Sequence, residues 1–155
     1  MKIKPDQEQD ALALLKGLSL FSGCPEDALK EIVKLLDARD VPAGKVLLMD
    51  QEIARTLFIL SKGSVGVWKR VGGEKKQLAT LKAPDFFGER SMFEKSPASA
   101  LVKSAERCLI YTLERPQFDQ IAALFPALLE PLLKNVAEVR LKRIGPTPPV
   151  PGGPT

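Results

Sequence analysis

One segment of the sequence combines residue types that could bind a small anion. It runs Asp85-Phe86-Phe87-Gly88-Glu89-Arg90-Ser91-Met92-Phe93 and is followed by Pro97-Ala98-Ser99-Ala100-Leu101-Val102. Gly88 has no Cβ and lets the backbone approach a ligand. The amides of Glu89, Arg90 and Ser91 would open a short helix and point at the anion, helped by the helix dipole. The Glu89 carboxylate only accepts hydrogen bonds, so it could take one from a ligand hydroxyl.

Around this segment, alternating residues and regularly spaced turns predict a mainly β barrel. A two-residue period begins at residue 37, and further strands are predicted at 46–49, 56–60, 64–71, 74–81, 99–104 and 107–113. Within 64–71, Val65 and Val67 face the core, whereas Gly66 and Trp68 face the other way. About eight short strands separated by turn residues are typical of a jelly roll or a small barrel rather than a parallel sheet.

Helical periodicity predicts two helices before the barrel and two after it. The predicted helices are 6–16, one starting at Pro25, one opening at 114–116 and one starting at Pro126. The apolar stripe of the last helix is predicted at Leu129, Leu132, Leu133, Val136 and Val139. Leu128 and Leu141 lie off this stripe. The extra apolar surface allows two interpretations, which are packing on the chain's own barrel and pairing with a second chain.

The composition fits one globular domain at residues 1–144. The 155 residues are 45% hydrophobic and 27% charged, and a chain of this length buries about 70% of its unfolded surface. No run of about 20 apolar residues predicts a membrane span, and the N-terminus does not resemble a secretory signal. The formal charge of +4 gives only weak support for nucleic-acid binding, so none is predicted. Residues 145–155 are rich in proline and glycine and are predicted to be disordered or extended.

The sequence lacks the groups that most often act in catalysis. Histidine is absent, which excludes His-dependent triads and His-ligated zinc or haem. Neither a clustered carboxylate pair nor an activated serine stands out, so we predict a protein that is not an enzyme and has no cofactor or metal. The two cysteines, Cys24 and Cys108, are expected to be thiols in a reducing cytoplasm; the alternative is a single disulfide.

The anion-binding segment resembles the phosphate-binding cassette of the cyclic-nucleotide-binding domain family. That cassette runs Phe-Gly-Glu, a short helix and then Pro-Arg-Ala-Ala-Thr-Val, and here Phe87-Gly88-Glu89 and residues 97–102 follow it. The turn at 42–44 and the segment 58–65 are also similar, so the resemblance covers about residues 18–144. It implies a double-stranded β-helix, or jelly-roll, barrel at about 37–113 with N-terminal and C-terminal helices.

The resemblance also implies roles for individual residues. The predicted ligand contacts are Gly88, Glu89, Arg90, Ser91, Ser99, Ala100, Leu101, Val65 and Val67. Among them, Glu89 would hold a ribose 2′-hydroxyl, and Gly88 with the amides that follow it would hold a cyclic phosphate. The two valines and Leu101 would form an apolar wall near the base. Ser99 could donate to the phosphate or could simply be a small strand residue.

Three positions depart from the family pattern. Ala98 stands where the family has the arginine that neutralises the phosphate, Leu101 stands where many members have threonine or serine, and Gln51 stands where glycine is common. Arg90 could supply a displaced cation, or it could be a salt-bridged surface side chain. Glu89 could equally be a helix-start acid or the ion-pair partner of a neighbouring arginine.

These observations predict a non-enzymatic, cytoplasmic regulatory module. It would bind cAMP, cGMP or a related small ligand in the barrel and move its C-terminal helices in response. The alternative is a degenerate domain that no longer binds a cyclic nucleotide and serves in protein interaction or dimerisation. A protein partner or a second copy would bind through the C-terminal helix at 126–143. No contact with nucleic acid or a membrane is predicted.

Overall fold

The structure, a computed structural model, describes residues 2–144 and the side chains of residues 2–139. Within that range eight strands form two four-stranded antiparallel sheets. The first sheet contains, in spatial order, β1 (Asp37–Val41), β8 (Cys108–Glu114), β3 (Thr56–Lys62) and β6 (Asp85–Phe87). The second contains β2 (Val46–Leu48), β7 (Leu101–Ser104), β4 (Ser64–Val71) and β5 (Glu74–Lys82).

The helices lie before, within and after the strands. They are α1 (Pro5–Gly17), α2 (Glu26–Leu35), α3 (Glu89–Glu94), α4 (Arg115–Leu124) and α5 (Leu129–Ile144), with 3₁₀ turns at Ser19–Phe21 and Pro126–Leu128. This order confirms the predicted fold class, a mainly β jelly roll with N-terminal and C-terminal helices. The predicted tail at 145–155 lies outside the described residues. No helix within residues 2–144 is both long and apolar enough to cross a bilayer.

The strand β3 contributes to two separate apolar cores because its alternate residues face opposite sides of the sheet. Phe58 and Leu60 point between the two sheets, where the rings of Phe58 and Phe87 stack with centroids 4.8 Å apart. Leu57 and Ile59 point to the other side and pack against the helices. The strands β6 and β8 divide their residues between the two cores in the same way, so the barrel interior and the helix layer lie on opposite sides of one buried sheet.

The predicted stripe of the last helix is confirmed at Leu132, Val136 and Val139, which are buried, and is wrong at its other two positions. Leu128 is fully buried, as are Leu132 and Val136, whereas Leu129 is 36% exposed and Leu133 is 48% exposed. The prediction started the helix at Pro126, but Pro126–Leu128 is a 3₁₀ turn and α5 begins at Leu129. Leu128 is buried in place of Leu129 because it lies four residues before Leu132 and eight before Val136, on the same face of the helical path.

Both cysteines are free thiols, so the alternative of a disulfide between them is wrong. Burial raises the pKa of the Cys24 thiol to about 11. Burial also raises the pKa of Cys108, which lies in the barrel interior. Neither thiol has the environment of a reactive cysteine, because a reactive cysteine needs a lowered pKa.

Candidate functional site

The turn between β6 and α3 requires a glycine. Gly88 has a left-handed backbone with φ +85°, a conformation that residues with a Cβ rarely adopt. A Cβ placed there would lie 2.6 Å from the carbonyl oxygen of Thr56 and 3.0 Å from a ring carbon of Phe58. Gly88 thus brings the chain against β3 just before α3 begins. Its expected close approach to a ligand stays a prediction.

Glu89 is the first residue of α3 and is only 5% exposed. The residue already has an interaction partner within the protein. The amides of the first three residues of a helix have no acceptor inside it, and here these residues are Glu89, Arg90 and Ser91. A buried carboxylate therefore lies beside three backbone donors, and together they match a ligand that carries both a hydroxyl and a negative charge.

The Ser91 hydroxyl has a structural role in this arrangement. It lies 2.9 Å from the Ser96 carbonyl oxygen and 3.3 Å from the Glu52 carbonyl oxygen, so it can donate to either. The Glu52 oxygen also accepts the amide of Ala98 at 2.8 Å, and the Ala98 oxygen accepts the amide of Gln51 at 2.8 Å. These bonds join the start of α3, the β2–β3 loop and the segment before β7 into one unit.

The inner wall of the barrel at this site is lined by small apolar residues. Val65 is fully buried, and Ala98, Ala100 and Val102 are each at most 8% exposed. Val67 pairs with Val102 across β4 and β7 and so shares its inner face, but it is only half-buried. Of the predicted apolar contacts, the structure therefore brings Val65, Val67 and Ala100 together near the cassette.

Leu101 does not belong to this inner wall. It pairs directly with Trp68, and paired residues of antiparallel strands share a face. Trp68 shares a face of β4 with Gly66, since a Cβ added to Gly66 would lie 2.8 Å from the indole nitrogen. This is the outer face, because the alternate residues Val65 and Val67 point inward. Leu101 was predicted to line the pocket beside the base, and this placement is wrong because strand alternation turns its side chain outward. Ser99 is exposed and lies just before β7.

Arg90 lies on α3 with its Nε 3.6 Å from the Glu94 carboxylate, one helical turn away. Its side chain is 26% exposed, and the Nε atom itself is buried with no hydrogen-bond partner. This placement favours the salt-bridged interpretation over that of a displaced phosphate cation. Among the side chains of residues 2–139, no three acidic or cysteine residues come together as a metal site would need.

One basic side chain near the cassette was missed by the sequence-based prediction. Lys69 follows Val65 and Val67 on the same face of β4, and its Nζ donates to the Ser99 carbonyl oxygen at 2.7 Å. The same Nζ is 3.9 Å from the Asp50 carboxylate. The signal was present in the alternation Val65, Val67, Lys69, which places a cation on the inner face two residues beyond the last valine.

A jelly roll with this glycine, buried glutamate and short helix defines a class of small-ligand regulatory domains, and sequence comparison identifies the family. The profile of the cyclic nucleotide-binding domain matches residues 38–124, more than half of the chain. The chain therefore belongs to the cyclic nucleotide-binding domain family, as the resemblance predicted.

Curated relatives contain this domain as one part of a longer protein. Human cGMP-dependent protein kinase 2 is 29% identical over 130 residues, which are 81% of this chain and 17% of the kinase. A cyclic nucleotide-gated potassium channel of Rhizobium etli is 30% identical over 82% of this chain and 34% of the channel. A CRP-like cAMP-activated global transcriptional regulator of Mycobacterium tuberculosis is 27% identical over 84% of this chain and 58% of the regulator.

Solved structures support the same fold. A cyclic nucleotide-binding domain from Methylobacillus flagellatus superposes with a TM-score of 0.77 at 20% identity, covering 90% of this chain and 79% of that one. The regulatory domain of Toxoplasma gondii PKA with cAMP gives a TM-score of 0.73 at 22% identity, covering 77% of this chain and 46% of that one. At these identities the likeness concerns the fold.

Proposed function

We propose that this domain is a regulatory module that binds cAMP or cGMP on the inner face of its barrel. One observation carries the proposal: Gly88 has no room for a Cβ, and the next residue, Glu89, is a nearly buried carboxylate that opens α3. Glu89 would accept the ribose 2′-hydroxyl, and the amides of residues 89–91 would face the cyclic phosphate. Val65 and Val67 would contact the base or the sugar.

The proposed response to ligand runs from the cassette to the C-terminal helices. Met92 and Phe93 of α3 belong to the same apolar cluster as Leu132 of α5. The ring of Phe93 meets Phe118 of α4 edge-on at 5.0 Å, and the Arg115 guanidinium donates to the Met92 carbonyl oxygen at 3.0 Å. A shift of α3 on binding would therefore reach α4 and α5 directly, and ligand would change the population of their positions.

The test of this function is calorimetric titration of the pure protein with cAMP and with cGMP. Wild type, Glu89→Ala and Ala98→Arg are titrated side by side, with Glu74→Ala as the matched control because Glu74 is exposed at the start of β5. Micromolar binding that Glu89→Ala abolishes and Glu74→Ala preserves is the expected result. Binding only by Ala98→Arg would indicate a sound frame without its phosphate cation. Absence of binding in all variants would overturn the proposal.

A second candidate function is dimerisation through the C-terminal region, without a cyclic nucleotide. It is favoured by three exposed leucines: Leu124 at the end of α4 is 70% exposed, and Leu129 and Leu133 lie one turn apart on α5. A second copy of the chain would bury them. Sedimentation of wild type and Leu133→Glu tests this: a dimer that the substitution dissociates supports it, and a monomer at high concentration contradicts it.

We also propose that the domain itself carries out no reaction and acts in the cytoplasm. The absence of histidine from the sequence supports the first statement, and the free thiols Cys24 and Cys108 fit the second. Turnover of a nucleotide by pure protein would overturn the first. The catalytic or channel parts named in the relatives belong to those proteins, of which this chain matches less than two thirds.

A further inference from the structure

The inner face of β4 carries a cation, Lys69, whose ammonium group is held at the cassette. Val65 and Val67 point into the barrel, and Lys69 is the next residue on that face. Its Nζ donates to the Ser99 carbonyl oxygen at 2.7 Å and is 3.9 Å from Asp50, and its side chain is 31% exposed. The ammonium is thus ordered by the backbone that follows Ala98.

This position adjoins the start of α3 through a short chain of hydrogen bonds. The Glu52 carbonyl oxygen accepts the Ala98 amide at 2.8 Å and lies 3.3 Å from the Ser91 hydroxyl. The segment that holds Lys69 and the first turn of α3 are therefore fixed to the same backbone oxygen. The side chains of Ala98 and Ala100, in the segment just before β7, are buried methyl groups and supply no charge.

A second lysine of the same sheet, Lys103, lies close to Lys69 in the fold but on the opposite face of the sheet. Lys103 lies on β7 opposite Gly66, and its Nζ is 5.4 Å from the centroid of the Trp68 ring on the outer face. Lys69 and Lys103 thus belong to adjacent strands of one sheet but point to opposite sides of it. Lys103 is consequently a matched control for any test of Lys69.

We propose that Lys69 neutralises the phosphodiester of the bound nucleotide, in place of a basic side chain at Ala98. The inference rests on the proposed function. An ammonium has three donors, and the Ser99 carbonyl oxygen uses one, which leaves two for phosphate oxygens. The stem is held in place before the ligand arrives, so less side-chain entropy is lost on binding. Asp50 balances the charge of the ammonium before the nucleotide binds, and the phosphate takes over that role.

The experiment is calorimetric titration of wild type, Lys69→Met, Lys69→Arg and Lys103→Met with the nucleotide that wild type binds better, at two salt concentrations. Lys69→Met is expected to weaken binding about tenfold or more, because a charge-assisted contact is lost. It is also expected to reduce the salt dependence of binding. Lys69→Arg stays within a few fold of wild type, and Lys103→Met stays within twofold. Thermal unfolding of each variant shows that it is folded, and Lys69→Gln replaces Lys69→Met if the latter is not.

A rescue variant separates a charge role from a structural one. Ala98→Arg combined with Lys69→Met is expected to recover the affinity, since it restores a cation beside the same backbone segment. Equal affinities of wild type and Lys69→Met would overturn the role of Lys69 and leave the proposed function standing. A loss that neither Arg variant recovers, with unchanged salt dependence, would assign Lys69 a structural role and also overturn the inference. Absence of binding by wild type and Ala98→Arg would overturn the proposed function, and this inference with it.

Discussion

Asn135 of α5 is hydrogen-bonded to the backbone that follows α1, since its side-chain nitrogen donates to the carbonyl oxygens of Leu20 at 2.8 Å and Ser22 at 2.7 Å. Asn135 is only 7% exposed. Its amide therefore satisfies the buried carbonyl oxygen of Leu20 and also bonds Ser22, which is an exposed residue. The C-terminal helix is held to the 3₁₀ turn at Ser19–Phe21 by polar contacts as well as by its apolar face.

Replacing Asn135 with alanine should lower the free energy of unfolding by about 2 kcal/mol, because the buried Leu20 carbonyl oxygen loses its donor and the bond to Ser22 is lost as well. Urea denaturation followed by circular dichroism measures this. Lys134→Ala is the control, since Lys134 is exposed and adjacent, and it should change stability by less than about 0.5 kcal/mol. Similar effects of the two substitutions would show that the Asn135 contacts do not anchor α5.

Gly88→Ala should lower the free energy of unfolding more than Gly72→Ala does. The difference between the two losses measures the close contact between residue 88 and β3. Both glycines have positive φ, +85° and +61°, so both substitutions introduce backbone strain of about 1 kcal/mol or more. A Cβ at Gly72 has nothing within 4 Å, whereas one at Gly88 would lie 2.6 Å from the Thr56 carbonyl oxygen. We expect an additional loss of about 1–3 kcal/mol for Gly88→Ala, measured by urea denaturation. An equal loss for the two variants would contradict the contact.

The barrel could be predicted from the sequence because its signals are local. Alternation of buried and exposed residues and the turn glycines repeat at short intervals, and each strand carries its own share of the pattern. Gly88 and Glu89 were singled out on a different basis, because both lie in one continuous segment that resembles the family's phosphate-binding cassette. Leu101 was misplaced, although strand alternation from Val102 would have turned it outward.

Features that depend on distant partners could not be predicted in this way. The Asn135 bonds join residues more than 110 positions apart, and no periodicity records such a pair. Leu129 was predicted to be buried where Leu128 is, because the 3₁₀ turn that ends at Leu128 has no distinctive sequence. The alternation of β4 gives the face on which Lys69 lies, but it does not give the acceptor of its ammonium group. Its carbonyl acceptor on Ser99 is 30 residues away and becomes a neighbour only when β4 and β7 pair.

Gln51→Gly should stabilise the protein by about 0.5–1 kcal/mol. Gln51 has a left-handed backbone with φ +72°, which is strained for a residue with a Cβ and is accessible to glycine. Relief of this strain exceeds the entropy that glycine adds to the unfolded chain. The amide of Gln51 still donates to the Ala98 carbonyl oxygen. Thermal and urea unfolding of wild type and Gln51→Gly measure the change. A loss of stability would mean that the Gln51 side chain contributes more than its backbone strain costs.

Cys24 should react with iodoacetamide about 100-fold more slowly in the folded protein than in urea at pH 8. The thiolate is the reactive form, and burial raises the pKa of Cys24 from 9.0 to about 11, so little thiolate is present. Mass spectrometry of the Cys24 peptide follows the reaction over time.

The rate in the folded protein should rise as the pH approaches 11, while the rate in urea levels off near pH 10. The same shift links pH to stability, because the folded state holds the Cys24 proton more tightly than the unfolded state. This contribution to stability is complete below about pH 9 and is lost as the pH rises through 11. Cys24→Ala should lose that part of the alkaline pH dependence while other groups continue to titrate. Equal alkylation rates in the folded and unfolded protein at pH 8 would show that the thiol is not buried.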